Sequence, residues 1–279
     1  MSKPLKKLLQ GILPDHLLSL LVGSYDIVGD IAIIIIPDEL IEYENLIGQT
    51  LLENHLNVAV VVKRSGIYDG EYRVLPVKVI AGEDRTVTEL RESGVRLTLD
   101  LQEVYYSVRS GGERLRIARL VQPGEKILVA FSGIAPYPLV ISKQSDASEI
   151  IGVEKNTSAH RFGIKNIKLN KKLKNIQLYN ADILDWLKTD EGRGKQFDRI
   201  IMPLPKSGEQ FLMPLLSQLK GAGWLHFYDM QQLEEFDKTS KFVQKKGVAA
   251  GRRLTEHNLV QCGHCGPRTY RICVDAKFD

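Results

Sequence analysis

From residue 118 onward the chain alternates apolar runs with amphipathic stretches. "KILVAFS", "EIIGVEK", "IQLYNAD", "FDRIIMPLP" and "GWLHFYDM" are separated by segments with helical spacing such as "SAHRFGIKNIKLNKK" and "EQFLMPLLSQLK". A half-exposed strand alternates apolar and polar residues, so near-continuous apolar runs predict a parallel sheet covered by helices on both faces. Before residue 118 the pattern differs. "IAIIIIP", "VAVVVKR", "YRVLPVKVIAG", "RTVTEL" and "VRLTLDL" are rich in Val, Ile and Thr and are broken by Gly, Asp or charged turns, which predicts a small α+β domain. The expected fold class is α/β: a Rossmann-like domain over residues 118–279, preceded by a small α+β domain over residues 1–117.

With 279 residues, 43% of them hydrophobic, the chain can bury a sizeable core. Charge or proline interrupts each apolar stretch of the opening "MSKPLKKLLQGILPDHLLSLL", which argues against a secretory signal. "IAIIIIP" is far shorter than the roughly 20 residues needed to span a bilayer, so no membrane segment and a cytoplasmic location are expected. Cys262, Cys265 and Cys273 are too few and too late in the chain for a disulfide framework. The "CGHC" pair around His264 lacks a second ligand cluster, whereas zinc takes about four ligands, so no metal is expected. The formal net charge is only +4, yet "RFGIKNIKLNKKLKN" (161–175) holds six basic residues and no acidic one. Arg161, Lys165, Lys168, Lys171 and Lys172 therefore form either a solvated helix end or a phosphate-binding surface.

Ligands of parallel α/β sheets bind beyond the carboxyl ends of the strands. The first strand end leads into "AFSGIAPYPL", where the loop Phe131–Ala135 carries Ser132, Gly133 and Ala135, small enough for close backbone approach. The second places Glu154 where a carboxylate can accept from a ribose diol, and the third places Asp182 where it can accept from an adenine amine or simply cap the following helix. A small-residue loop, then an acid, then another acid is the order in which class I methyltransferases hold S-adenosylmethionine. The GxGxxG fingerprint of a dehydrogenase is missing.

The segments "YYSVRSGGERLRIARLV", "GEKILVAFSGIAPYPL", "GVEKNTSAHRFGIKNIKLN" and "DRIIMPLPKSG", with the earlier "YDIVGDIAIIIIPDEL" and "RSGIYDGEYRVLPVKVIAGE", resemble the archaeal and eukaryotic tRNA (guanine-N1)-methyltransferases that act at position 37. The same superfamily includes the wybutosine-pathway aminocarboxypropyl transferases. The resemblance covers almost the whole chain and implies a class I methyltransferase fold, S-adenosylmethionine as cofactor and tRNA as partner. It places Glu113 of "GGER" as the base for guanine N1 and Arg73 of "GEYRV" as the cation that steadies the resulting charge. It puts Phe131, Ser132, Gly133, Ala135, Glu154, Asp182 and Pro203 at the cofactor, and Arg109 with the basic stretch at the RNA. On the residues alone, Glu113 and Arg116 read as a surface pair three apart on a helix, and Arg73 as a solvated strand residue.

Three differences from the family qualify this. Val129 stands where an Asp usually precedes the small-residue loop, and Pro203 stands where the methyltransferases have an Asn before "LP". Proline offers neither an N–H nor a side-chain amide. Many archaeal relatives also carry a further small domain ahead of "GDIAII", without which a smaller footprint and strongly salt-dependent RNA binding are expected. An aminocarboxypropyl transferase and a non-catalytic RNA-binding derivative stay open as alternatives. The closing "CGHCGPRTYRICVDAKF" fits a final pair of strands, with Arg268 at their turn.

Overall fold

The computed structural model of the chain describes residues 4–66, 70–205 and 207–279, which divide into two compact units. The first comprises residues up to 91 together with 96–108; the second comprises 92–95 and 109–279.

In the first unit, short β-branched runs form β1 (Asp26–Val28), β2 (Ile31–Ile34), β3 (Val60–Arg64) and β4 (Val77–Gly82), joined in that order in one sheet. Only β2 and β3 are parallel, and helix α3 (Glu44–Glu53) lies between them in sequence, as a parallel crossover requires. Strands β5 (Val87–Glu92) and β6 (Val95–Asp100) form a separate two-stranded sheet. Leu5 of helix α1 (Leu5–Leu8), with Leu9 and Leu13, packs into a core with Ile34, Leu40, Ile47, Leu51 and Val61. Leu5, Leu9, Leu13 and Leu21 of the opening segment are thus core residues, whereas Leu20 at the end of helix α2 (Asp15–Leu20) is exposed. The run "YRVLPVKVIAG" becomes strand only from Val77, because Pro76 cannot donate to a ladder and Arg73 sits in a turn.

The second unit is a seven-stranded sheet of β7 (Lys126–Ala130), β8 (Glu149–Glu154), β9 (Ile176–Asn180), β10 (Phe197–Met202), β11 (Leu219–Gln232), β12 (Leu254–Gly266) and β13 (Thr269–Phe278). The spatial order is β12-β13-β11-β10-β7-β8-β9. The strands from β7 to β11 pair in parallel, while β13 enters antiparallel against β11 and closes a long hairpin with β12. Helices α4 (Gly111–Leu120), α5 (Pro136–Gln144), α6 (Thr157–Leu169), α7 (Ile183–Trp186), α8 (Glu209–Leu216) and α9 (Phe236–Ala249) complete the unit. Helix α4 belongs to it, whereas the change in sequence pattern near residue 118 puts the boundary after most of that helix.

The continuous apolar runs are buried as a parallel sheet demands: Leu128, Ala130, Ile151, Val153, Ile200 and Met202 share one core with Phe227 and Val274. Because β8 and β9 extend to one side of β7 and β10 and β11 to the other, the direction of winding reverses between β7 and β10. In open sheets the crevice beyond the strand ends at that reversal is the ligand position. Among the described residues no helix is long and apolar enough to cross a membrane.

Candidate active site

The chain leaves β7 through a strained loop. Phe131 (φ 68°), Gly133 (φ 57°) and Ala135 (φ 67°) all take left-handed backbone conformations. For a non-glycine residue this costs roughly 1–2 kcal/mol, and it persists only where the surroundings enforce it. The surroundings here are specific. Ser132 N–H donates to Val153 O (2.9 Å), Ala135 N–H donates to Ser132 O (3.0 Å), and Gly133 N–H donates to Glu154 Oε2 (2.7 Å). Asn166, fully buried on α6, donates from Nδ2 to Ile134 O at 3.0 Å. Backbone that alternates into the left-handed region turns its N–H groups toward a concavity suited to acceptor groups.

Two observations mark this loop as a fit for a bound cofactor. The Ser132 hydroxyl is buried without a hydrogen-bond partner, which costs free energy unless a ligand supplies one. A Cβ built on Gly133 would meet nothing within 4 Å, so the backbone is open to close approach there. Beneath it, Gly152 leaves little room: a Cβ would lie 2.5 Å from Leu178 Cδ2 and 3.0 Å from Ser132 Oγ, so those side chains would have to shift.

Glu154 stands at the carboxyl end of β8, and its Oε1 accepts from Asn156 N–H at 2.7 Å. Burial raises its pKa above the ordinary carboxylate value, against the pull of the backbone donors at Asn156, Gly133 and Lys155. Asn156 in turn caps α6, accepting from Ser158 and Ala159. Asp182 caps α7 by accepting from Leu184 N–H (2.9 Å) and lies 3.3 Å from Lys155 Nζ. Val129 is buried inside β7, in register with Gly152 and Ile201. The loop is therefore held by Glu154 and Asn166, without an acid at position 129. Pro203 directly follows β10 and is half-buried, with Leu204 N–H bonded back to Met202 O (2.8 Å); Lys206 of the same loop is outside the described residues.

Glu113 is 6% exposed and lies at the start of a buried polar chain. Its Oε2 accepts from Arg116 Nε (2.7 Å), and its Oε1 accepts from Arg116 Nη2 (2.8 Å) and from the Tyr228 hydroxyl (2.6 Å), which itself accepts from the Tyr137 hydroxyl (3.0 Å). Glu113 and Arg116 do pair, but not as a surface pair: the Glu113 carboxylate is buried and the Arg116 side chain only 26% exposed. The other edge of the Arg116 guanidinium bonds Asp275 at 2.6 and 3.1 Å, and Asp275 Oδ1 is 2.6 Å from His226 Nδ1. His226 Nε2 faces Arg199 Nη1 at 2.6 Å. A guanidinium can only donate, so Nε2 is the bare nitrogen and Nδ1–H donates to Asp275. Burial favours the same neutral ring by lowering the pKa of His226. Burial works against the charge on Arg116, yet its bonds to Glu113 and Asp275 outweigh that and hold its pKa above the ordinary value. Asp275 is held well below the usual carboxylate range: burial acts upward, and His226 and Arg116 overcome it.

His226, Cys273 and Asp275 bring potential metal-ligand atoms within 4.8 Å of one another. Arg116 and Arg199 already bond this group from two sides, so a cation would enter against two positive charges. Cys262 and Cys265 both lie on β12; Cys262 is turned toward Arg271 O, its thiol pushed up to about 12 by burial. Arg268 stands at the β12–β13 turn with φ 54° and pairs with Glu234.

Arg73 belongs to the first unit. It is not a solvated strand residue: it lies in a turn with φ 51°, and burial lowers its pKa while Tyr105 acts upward. In the second unit Arg109, Arg161, Lys165, Lys168, Lys171 and Lys172 are exposed. Arg161 and Lys165 lie over the Phe162 ring at 5.7 and 5.9 Å, while Ala159, Phe162, Gly163 and Asn166 form the buried face of α6. Lys171 and Lys172 follow the helix rather than extend it. Asn166, Tyr228 and Asp275 were not among the residues the sequence singled out.

Residues 88–253 match the TRM5/TYW2 methyltransferase domain and residues 5–86 the TYW2 N-terminal domain. The tRNA (guanine(37)-N(1))-methyltransferase Trm5b of Pyrococcus abyssi is 33% identical over 272 residues, covering 95% of this chain and 77% of its own. The tRNA (guanine(37)-N(1))/4-demethylwyosine(37)-methyltransferase Taw22 of Nanoarchaeum equitans is 30% identical, covering 90% of this chain and 98% of its own. In the complex of aTrm5 and tRNALeu, the protein superposes with a TM-score of 0.85 at 29% identity, over 99% of this chain and 78% of that one.

Proposed function

The chain belongs to the TRM5/TYW2 methyltransferase family, and from that premise we propose that it methylates N1 of guanine 37 in tRNA. The observation that carries the reading is the strained loop Phe131–Ala135, tied to Glu154 through Gly133 N–H at the winding reversal of the sheet. The substrate follows from relatives of 30–33% identity that act on guanine 37. S-adenosylmethionine supplies the methyl group as an electrophilic carbon on a sulfonium.

Phe131, Ser132, Gly133 and Ala135 would hold the cofactor through the loop backbone and the Ser132 hydroxyl. Glu154 would accept from its ribose, Asp182 from its adenine amine, and Pro203 would line the same pocket. Glu113 takes the proton from guanine N1, since a neutral N1–H is a poor nucleophile, and Arg73 steadies the negative charge left on the base. Arg109, Arg161, Lys165, Lys168, Lys171 and Lys172 would contact tRNA phosphates, which makes binding fall steeply with added salt. On this reading the enzyme works in the cytoplasm.

The test combines binding and transfer. Isothermal titration should show S-adenosylmethionine binding by the wild type and its loss in Glu154→Ala, and labelled methyl should enter unmodified tRNA only with the wild type. Equal binding by both proteins would remove Glu154 from the cofactor site. Pro203 supplies one observation for a second reading, because without a side-chain amide at that position the base pocket differs from the family's pattern; transfer of an aminocarboxypropyl group would appear as a heavier product.

A further inference from the structure

The hydrogen bonds of Glu113 are asymmetric. An ionised carboxylate oxygen offers about two lone-pair sites. Oε1 receives two donors, Arg116 Nη2 and the Tyr228 hydroxyl, and is saturated; among the described residues Oε2 receives only Arg116 Nε. The donor directions are fixed by chemistry. A carboxylate cannot donate, so Tyr228 donates to Glu113, and its oxygen must then accept from Tyr137. Tyr137 lies in the first turn of α5, two residues after left-handed Ala135, so two hydroxyls join the strained loop to Glu113.

Resting on the reading of Glu113 as the base, we propose that Tyr228 is a positioning residue that fills Oε1 of Glu113 and leaves Oε2 to receive the guanine proton. In the step, the N1–H bond breaks, its proton forms an O–H bond at Oε2, and the electron pair stays on N1. Tyr137 supports Tyr228 by fixing the direction of its hydroxyl. The charged and titratable groups facing Glu113 are Arg116 on its own helix, Tyr137 on α5, Tyr228 on β11, Cys262 on β12 and Cys273 on β13, with Asp275 bonded to the other edge of Arg116. Removing the Tyr228 donor takes one hydrogen bond away from the ionised carboxylate, the form that receives the guanine proton.

The experiment measures the single-turnover rate of methyl transfer to a tRNA transcript with guanine at position 37, from mildly acid to mildly alkaline pH. The proteins are the wild type, Tyr228→Phe, Tyr137→Phe and Glu113→Gln, with S-adenosylmethionine affinity measured for each. Tyr228→Phe should move the acid limb of the profile upward by roughly one to two pH units, the worth of a hydrogen bond to a charged group. Tyr137→Phe should move it the same way by less, and it carries the test if Tyr228→Phe does not fold. An acid limb that stays in place in both variants, even with a lowered rate, overturns the inference and leaves a packing role only. The two readings fail separately: a Glu113→Gln variant as fast as the wild type sinks the assignment of the base itself, whatever the tyrosine variants do.

Discussion

Glu113→Gln should lower the rate of methyl transfer by roughly two to four orders of magnitude, the usual contribution of a positioned general base. The substitution keeps the size of the side chain and one acceptor oxygen for Arg116, so the buried chain through Asp275 and His226 retains most of its contacts. S-adenosylmethionine affinity should be nearly unchanged, because the cofactor loop is anchored by Glu154 and Asn166 and reaches Glu113 only through two tyrosine hydroxyls. Single-turnover kinetics with calorimetric titration of the cofactor checks both halves. A rate within a few-fold of the wild type would show that another group removes the guanine proton.

The second large effect concerns stability. Arg199 is 1% exposed in β10, where it bonds Glu125 through Nε (2.7 Å) and Nη2 (2.9 Å), donates to Leu120 O and supplies the donor for His226. Arg199→Met should cost about 3–5 kcal/mol, because it leaves a largely buried carboxylate uncompensated and a ring nitrogen unbonded. Adding Glu125→Gln should recover a substantial part, since the charge left behind is the main source of the loss. Denaturant unfolding of the single and double variants measures this. A cost below about 1 kcal/mol for Arg199→Met would mean that water reaches Glu125 and the pair is a surface one.

What was legible in the sequence was local. The apolar runs became parallel strands, buried except for β9 at the sheet edge, and an acid at the second strand end became Glu154, because a strand end, its loop and the next helix are consecutive in the chain. Asp182 likewise caps the helix that follows it. Partners of Glu113 beyond Arg116 were not legible: Tyr228 is 115 residues away and Asp275, reached through Arg116, lies 159 residues from that arginine. No periodicity links an α4 carboxylate to strands β11 and β13 until the sheet is assembled. Asn166 was hidden differently. It sits in a run dominated by basic residues, and only the helical arrangement separates its buried face from the exposed Lys165 and Lys168. On the residues alone Arg73 reads as a strand residue, whereas the structure holds it in a turn at φ 51°, its N–H bonded to Gly70 O, ahead of a strand that begins only at Val77.

The most direct measurement is the identity of the nucleoside formed when the protein is incubated with S-adenosylmethionine and unmodified tRNA, digested and analysed by chromatography and mass spectrometry. Transcripts with guanine at position 37 should yield 1-methylguanosine, and those with adenine there should yield none. A guanine carrying the larger aminocarboxypropyl group would contradict methyl transfer, and the absence of any product, with the RNA nevertheless bound, would contradict catalysis at this site.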